Sequence, residues 1–382
     1  MKYFIVAGEQ SGDLHGSNLV KALLVHDKEA EILCWGGDLM QEAGARLLMH
    51  YKKTAIMGLT AIVKNLGTFI KNLSLCSDQI ILFKPDAVIL IDFPGFNLRL
   101  AKLIKPAGIK ILYYISPKFW AWGEYRIRKI KRYVDRMFII FPFEKEFYKK
   151  HGIAVEYFGN PLVDEVERRS DSLPERGEII KSLGLGDKPV IGLLAGSRKH
   201  EVRSILPQMI SVVRDFPDYQ FVITGVRNLP DDLYKDIIGD NPVRLLTDKT
   251  YEVLKVSDAA LVASGTATLE TALFNIPQVV CYKGDFMSML LAWMMIKVKY
   301  ISLVNLIMDK EVVKELLGYS LNKKNLVKNL RDILPGGEKR TIILNNYSII
   351  KEKLGSAGAS DRIATEIIKE LKDCTGNQQT HS

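Results

Sequence analysis

Tyr3-Phe4-Ile5-Val6-Ala7-Gly8-Glu9-Gln10-Ser11-Gly12-Asp13-Leu14-His15-Gly16 opens the chain with a short apolar run that breaks into a polar, glycine-bearing turn. Such a run suits a buried strand. The glycines after it let the backbone turn sharply into a helix and bring amide N–H groups toward a ligand. The turn lacks the Gly-Lys-Ser/Thr of a P-loop and the spacing of Gly-x-Gly-x-x-Gly. Glu9 and Ser11 would point into a cleft, with Gly12 at the helix entry. The alternative is a tight turn with a capping Ser or Asp.

Outward from this stretch the same alternation repeats. Candidate strands cover 3–7, 31–35, 87–91, 110–115, 136–140 and 155–158, with helical patterns such as 16–25 and 59–83 between them. Strands alternating with helices imply right-handed βαβ units and a parallel sheet. From 166 to 188 the chain turns polar and carries Pro174, Gly177, Gly184 and Gly186, which reads as a connection. The alternation then restarts at 190–194, 219–224, 243–245, 259–263 and 278–282, and no 20–50-residue repeat is visible. The expected fold is α/β: two doubly wound Rossmann-like domains, 1–165 and 188–340, facing a cleft. A linker at 166–187 joins them, and a helical tail at 341–382 follows. Ligands of such sheets bind at the carboxyl ends of the strands.

Composition agrees with this. At 382 residues, with 47% apolar and 25% charged, the chain suits a globular protein of two or three domains. Cys34, Cys76, Cys281 and Cys374 are scattered without a C-x-x-C pair, which argues for a reducing compartment and against a zinc site or disulfide framework. The apolar start is too short for a signal peptide. The apolar stretch 286–296 is too short to span a bilayer, which needs about 20 such residues. A formal charge of +9 favours an anionic partner: nucleic acid, a membrane surface or a phosphorylated substrate.

Several turns carry chemistry. Asp92 closes the strand 87–91 and is followed by Phe93-Pro94-Gly95-Phe96-Asn97. A carboxylate there could take a proton from an acceptor hydroxyl, or could form an Asx-type turn. Ala195-Gly196-Ser197-Arg198 ends another strand before a helix. It offers small residues and a forked cation to a phosphate, or a surface ion pair. Ser264-Gly265-Thr266-Ala267-Thr268-Leu269-Glu270 repeats the pattern, with Glu270 one turn into the helix, where it can accept from two ribose hydroxyls. Paired in one half of the chain, these two turns favour a nucleotide diphosphate site.

The stretch 118–136 interleaves Phe119, Trp120 and Trp122 with seven cations. Ile127, Ile130 and Val134 fall on one helical face, so the segment is either a solvated basic helix packed on the core or a surface for lipid or phosphosugar. The stretch 286–296, rich in methionine with Trp293 and flanked by Lys297 and Lys299, is buried core or an acyl-chain contact. The six histidines show no ligand spacing and no D-x-D pair follows a strand, so no metal and no cofactor is assigned.

Taken together, the motifs resemble the lipid A disaccharide synthases, a GT-B-fold glycosyltransferase family. The matching pieces are the turn 7–13, Met57-Gly58, Lys84-Pro85-Asp86, and Ile91-Asp92-Phe93-Pro94 with Phe96-Asn97. They continue through Tyr114-Ile115-Ser116-Pro117 with Trp120-Ala121-Trp122, then Phe141-Pro142-Phe143-Glu144. The second half adds Gly196-Ser197-Arg198, Glu201-Val202, Ser257-Asp258-Ala259-Ala260, the turn 263–270, and the run 300–306. They stand in family order from residue 3 to about 320.

The resemblance implies transfer from UDP-2,3-diacylglucosamine to 2,3-diacylglucosamine 1-phosphate, giving a β-1,6-linked disaccharide phosphate and UDP. The first domain would take the acceptor and the second the UDP-sugar. Asp92 corresponds to the general base, with Glu9 the other catalytic candidate. Arg198 corresponds to a diphosphate contact and Glu270 to a nucleotide contact. Ser11, Gly12, Asn97, Ser197, Gly265, Thr266, Ala267 and Asn305 are the remaining substrate-binding positions. Because both substrates are acylated, the enzyme is expected to be cytoplasmic and peripherally associated with an anionic inner-membrane surface, with no nucleic-acid partner and room for an oligomer. Two positions depart from the pattern. Gly95 stands where relatives often carry a second Asp, so that carboxylate is not essential here. Ala61 stands where an acidic residue often follows the Met-Gly pair.

Three rivals remain at this level: a GT-B enzyme on another acceptor such as a peptidoglycan precursor, a dinucleotide oxidoreductase, and an RNA-binding protein. The missing Gly-x-Gly-x-x-Gly opposes the second, and the missing RNA-binding signatures oppose the third.

Overall fold

The computed structural model describes residues 1–54, 66–121, 123–283 and 299–379. Met57-Gly58, Ala61, Trp122 and the stretch 286–296 lie outside them. The chain divides into two compact units, Met1–Pro161 with Ala357–Ser382, and Leu162–Ser356.

The first unit holds seven parallel strands: β1 (Lys2–Ala7), β2 (Glu31–Gly36), β3 (Arg46–His50), β4 (Ala87–Ile91), β5 (Lys110–Tyr114), β6 (Arg136–Ile139) and β7 (Glu156–Tyr157). Their order is β3-β2-β1-β4-β5-β6-β7, so the direction of winding reverses between β1 and β4. The strands read as unbroken apolar runs because helices cover both faces. On one face Tyr3, Ile5 and Ile89 pack with Leu19 and Leu23 of helix Gln10–His26. On the other, Phe4, Val6 and Val88 pack with Leu73 and Leu100.

The second unit holds β8 (Val190–Leu194), β9 (Gln220–Gly225), β10 (Val243–Thr247), β11 (Ser257–Ala263), β12 (Gln278–Tyr282) and β13 (Lys314–Leu317). Their order, β10-β9-β8-β11-β12-β13, reverses between β8 and β11. Both sheets are therefore doubly wound, as the alternation predicted.

The boundaries differ from the expected spans. Most of the polar stretch 166–187, expected as a linker, is helical, in helices Pro161–Ser172 and Arg176–Ser182, and Ile179 and Leu183 bury against Val190, Val222 and Val253. The tail 341–382 is helical, as expected, and its two helices divide between the units. Helix Arg340–Leu354 belongs to the second unit, whereas helix Ala359–Gln379 returns to the first and packs Ile363, Ile367 and Leu371 beside Leu19 and Leu23. An ion pair and a hydrogen bond fix that return: Lys110 meets Glu370 at 2.6 Å, and His26 Nε2 lies 2.7 Å from Asp361 Oδ1. Helix Gln10–His26 begins six residues before the expected start at 16, because Gly12 and Gly16 lie inside it against the sheet. Strands β3 and β13 were not expected; both are short edge strands whose apolar runs, Leu47-Leu48-Met49 and Leu316-Leu317, are brief and flanked by charge.

Candidate active site

In the first unit Ala7 pairs with Ile91 across the switch point. The turns that follow, carrying Glu9 and Asp92, therefore leave the sheet side by side, where ligands of such folds collect. Glu9 is exposed at the N-cap position of its helix in an extended conformation, and its carboxylate makes no capping bond. Ser11 is exposed beside it. Gly12 is buried, and a Cβ there would stand 3.2 Å from that of Ala7, so it serves close helix–strand approach rather than ligand contact. Asp13 is also structural: it accepts from the amides of Gly37 at 2.7 Å, Met40 at 3.1 Å and Leu39 at 3.2 Å.

Asp92 and Phe93 both take left-handed backbone conformations, with φ of 43° and 46°. Side chains rarely adopt this region, and such strain persists only where the surroundings impose it. Here they do. The Asp92 amide donates to the Tyr114 carbonyl at 3.1 Å. The Asp92 carbonyl accepts from Asn97 Nδ2 at 2.8 Å and from the Tyr113 hydroxyl at 2.5 Å. Gly8 completes the fit, since a Cβ there would stand 2.2 Å from the Phe93 ring. Asn97, expected to touch substrate, is fully buried and donates to the carbonyls of Ile91 and Asp92. It holds the turn.

Burial pushes the Asp92 carboxyl from 3.8 up to about 6; Lys118 opposes the rise and Glu9 adds to it. Lys118 is exposed and makes no ion pair among the described residues. Its loop is anchored by Glu144, a buried carboxylate that accepts from Ser116 Oγ, from Trp120 Nε1 at 3.1 Å and from the amides of Phe141 at 2.9 Å and Ile140 at 3.2 Å. Burial raises Glu144 to about 7 against these bonds. Neither Lys118 nor Glu144 was singled out from sequence as a site residue; position after a strand end was the available signal.

The second unit repeats the arrangement. Leu194 pairs with Val262, so the turns carrying Arg198 and Gly265 leave adjacent strands. The first of these helix ends is already capped: Glu201 Oε2 accepts from the amides of Ser197 at 3.1 Å and Arg198 at 3.2 Å. What remains for an anion is the Arg198 guanidinium, 68% exposed and 3.3 Å from Glu201. The second end, helix Thr266–Leu273, has no side-chain cap. Gly265 precedes it with φ 154°, a conformation suited to glycine, and both Gly265 and Thr266 are exposed. Its amides are thus available to a phosphate.

Glu270, half-buried one turn on, accepts from the Tyr251 hydroxyl at 2.8 Å. Burial raises its carboxyl, against that bond. Ala267 is half-buried at the same turn. Asn305 is not at a surface: it is fully buried, its Oδ1 accepting from the amides of Val312 at 2.8 Å and Val313 at 3.0 Å. Among the described residues no cluster of three or more His, Cys, Asp or Glu could hold a metal ion.

A family model described as lipid-A-disaccharide synthetase matches residues 3–366. The lipid-A-disaccharide synthase of Syntrophus aciditrophicus is 39% identical over 97% of this chain and 98% of that one. The enzyme of that name from Trichlorobacter lovleyi is 36% identical over 97% and 98%. Among solved structures, UDP-GlcNAc 2-epimerase from Neisseria meningitidis bound to UDP-GlcNAc is similar with a TM-score of 0.69, at 15% identity over 97% of this chain and all of that one. The S. aureus MnaA–UDP structure has a TM-score of 0.69 at 16% identity, covering 97% of each chain. The structural likeness concerns the fold.

Proposed function

Because the chain belongs to the lipid-A-disaccharide synthetase family, we propose which of its residues carry each part of that family's reaction. The chain is a UDP-sugar-dependent glycosyltransferase of GT-B fold that acts in lipid A disaccharide synthesis. On our reading the donor is UDP-2,3-diacylglucosamine and the acceptor 2,3-diacylglucosamine 1-phosphate. The second unit holds the donor: Arg198 and the amides of Thr266 and Ala267 take the diphosphate, and Glu270 takes the ribose. The first unit supplies the base. Asp92 accepts the proton of the acceptor's 6-hydroxyl as that oxygen attacks the anomeric carbon. The bond to UDP breaks with its electron pair, and the configuration inverts.

The observation that carries this reading is the pairing of turns at each switch point, Ala7 with Ile91 and Leu194 with Val262. A carboxylate raised toward neutrality suits a base that must be charged at working pH yet able to hold a proton. A dinucleotide oxidoreductase would need the glycine fingerprint and acidic partner that β1 and its turn lack.

The acylated substrates also call for a lipid-facing surface. Helix Leu66–Phe83 leaves Leu66, Ile70, Leu75, Ile81 and Leu82 exposed. Ile70, Leu73 and Leu103 line a groove of about 630 Å³ together with three cations, Arg99, Lys102 and Lys129, and one carboxylate, Asp78. Apolar lining with a net excess of cations suits acyl chains under anionic headgroups. The basic stretch contributes only in part: Ile127 and Ile130 are buried, and Arg136 pairs with Glu156, Glu366 and Glu370. No helix among the described residues is long and apolar enough to cross a membrane. Mass spectrometry after incubation with the two acylated substrates tests the reading. It requires the disaccharide 1-phosphate and UDP, and a product from a different acceptor would refute it.

A further inference from the structure

Glu315, the second residue of edge strand β13, is a carboxylate bonded by neutral donors alone among the described residues. It accepts from the amides of Ile301 at 3.0 Å and Ser302 at 2.9 Å, from Ser302 Oγ at 2.7 Å, and from Asn305 Nδ2 at 2.9 Å. Ser302 and Asn305 are fully buried. Four donors on one charge fix the segment leading into helix Leu303–Met308.

One of those bonds reaches the donor turn. The peptide group joining Ile301 to Ser302 donates its N–H to Glu315, and its carbonyl accepts from Ser264 Oγ at 3.0 Å. An amide polarised by a carboxylate on one side is a stronger acceptor on the other. Ser264 is also held through its amide, which donates to the Cys281 carbonyl at 3.1 Å. Ser264 directly precedes Gly265 and the uncapped helix end.

We propose that Glu315 is a positioning residue of the donor site: through the Ile301–Ser302 peptide it locks Ser264, and so keeps the amides of Thr266 and Ala267 aimed at the donor's diphosphate. This rests on the reading that the turn binds that group. Asn305 acts with Glu315 in the same network rather than touching the donor.

The test is UDP titration by calorimetry on the full chain, with steady-state kinetics and a thermal melt. Glu315→Ala and Ser264→Ala should each weaken UDP binding and raise the donor KM about tenfold, the scale of a lost charge-assisted bond. Turnover and the acceptor KM should stay near wild type. The double variant should be no worse than Glu315→Ala, since both act along one chain of bonds. Glu315→Gln keeps an oxygen at the Oε1 position without the charge and should fall between Glu315→Ala and wild type in affinity. Wild-type UDP affinity in Glu315→Ala alongside a lowered Tm would overturn the proposal, as would multiplying effects in the double variant. Should Glu315→Ala fail to fold, unchanged UDP affinity in Ser264→Ala overturns it alone. Thr266→Glu separates the two levels by setting a carboxylate against the phosphate. If it binds UDP normally, the diphosphate reading falls too; if it loses UDP while Glu315→Ala does not, only the positioning role falls.

Discussion

Glu9 and Asp92 leave neighbouring parallel strands just beyond the paired residues Ala7 and Ile91, and the charge of Glu9 is one of the forces that raise the Asp92 carboxyl. The two carboxylates differ in environment. Glu9 is exposed, whereas Asp92 sits on a strained turn clamped by Asn97 and Tyr113. Unequal surroundings are what assign different roles to paired carboxylates.

The pH dependence follows from the rise of Asp92 to about 6. A base must be ionised, so kcat/KM should fall below about pH 6 along an acid limb that Asp92→Asn lacks. Stability runs the other way. A carboxyl raised in the folded state favours folding below its unfolded value of 3.8 and loses that contribution as pH rises through about 6. Asp92→Asn should therefore melt higher than wild type at pH 8, by roughly 1–3 kcal/mol after solvent screening. The gap should close toward pH 4, and thermal melts across that range check the sign.

Arg198→Ala should weaken UDP binding by roughly 1.5–3 kcal/mol, about ten- to 150-fold, with little effect on the acceptor KM. The neighbouring amides cannot compensate, because Glu201 already occupies them. Calorimetry with UDP decides this, and undiminished affinity would assign Arg198 to its Glu201 pair alone.

Turnover should survive EDTA, since an arginine and a helix N-terminus supply the charge stabilisation the leaving diphosphate needs. Loss of activity in chelator, restored by magnesium or manganese, would contradict that assignment.

Vesicle flotation should be stronger with anionic than with neutral lipid and should weaken in high salt, at about 1 kcal/mol per well-placed cation. Ile70→Ser with Leu82→Ser should weaken it further by removing exposed apolar area. Equal flotation on neutral and anionic vesicles would remove the electrostatic part.

The sheets were legible in sequence because a strand covered on both faces must be apolar throughout, as 87–91 and 190–194 are. The turns that end them were legible too, since only small and polar residues fit there. What sequence could not separate was a polar residue facing a ligand from one facing the backbone. Asn97, Asn305, Asp13 and Glu144 all belong to the motifs, yet each is buried and satisfies amides or carbonyls. Residue type and spacing look alike in both cases; depth below the surface distinguishes them. Edge strands β3 and β13 escaped because their apolar runs are only three and two residues long beside charge. The helical tail was legible, but the return of helix Ala359–Gln379 to the first unit was not, because its partners stand more than 300 residues earlier.

Whether Asp92 takes the acceptor's proton is decided by the turnover of Asp92→Asn with both acylated substrates. The substitution keeps the size and the turn but removes the basicity. General-base help is worth about 10²–10⁴-fold, so kcat should fall by that factor while UDP affinity, set in the other unit, stays unchanged. A folded Asp92→Asn variant with near-wild-type turnover would contradict the claim, leave Asp92 a turn residue, and move the search for the base to Glu9.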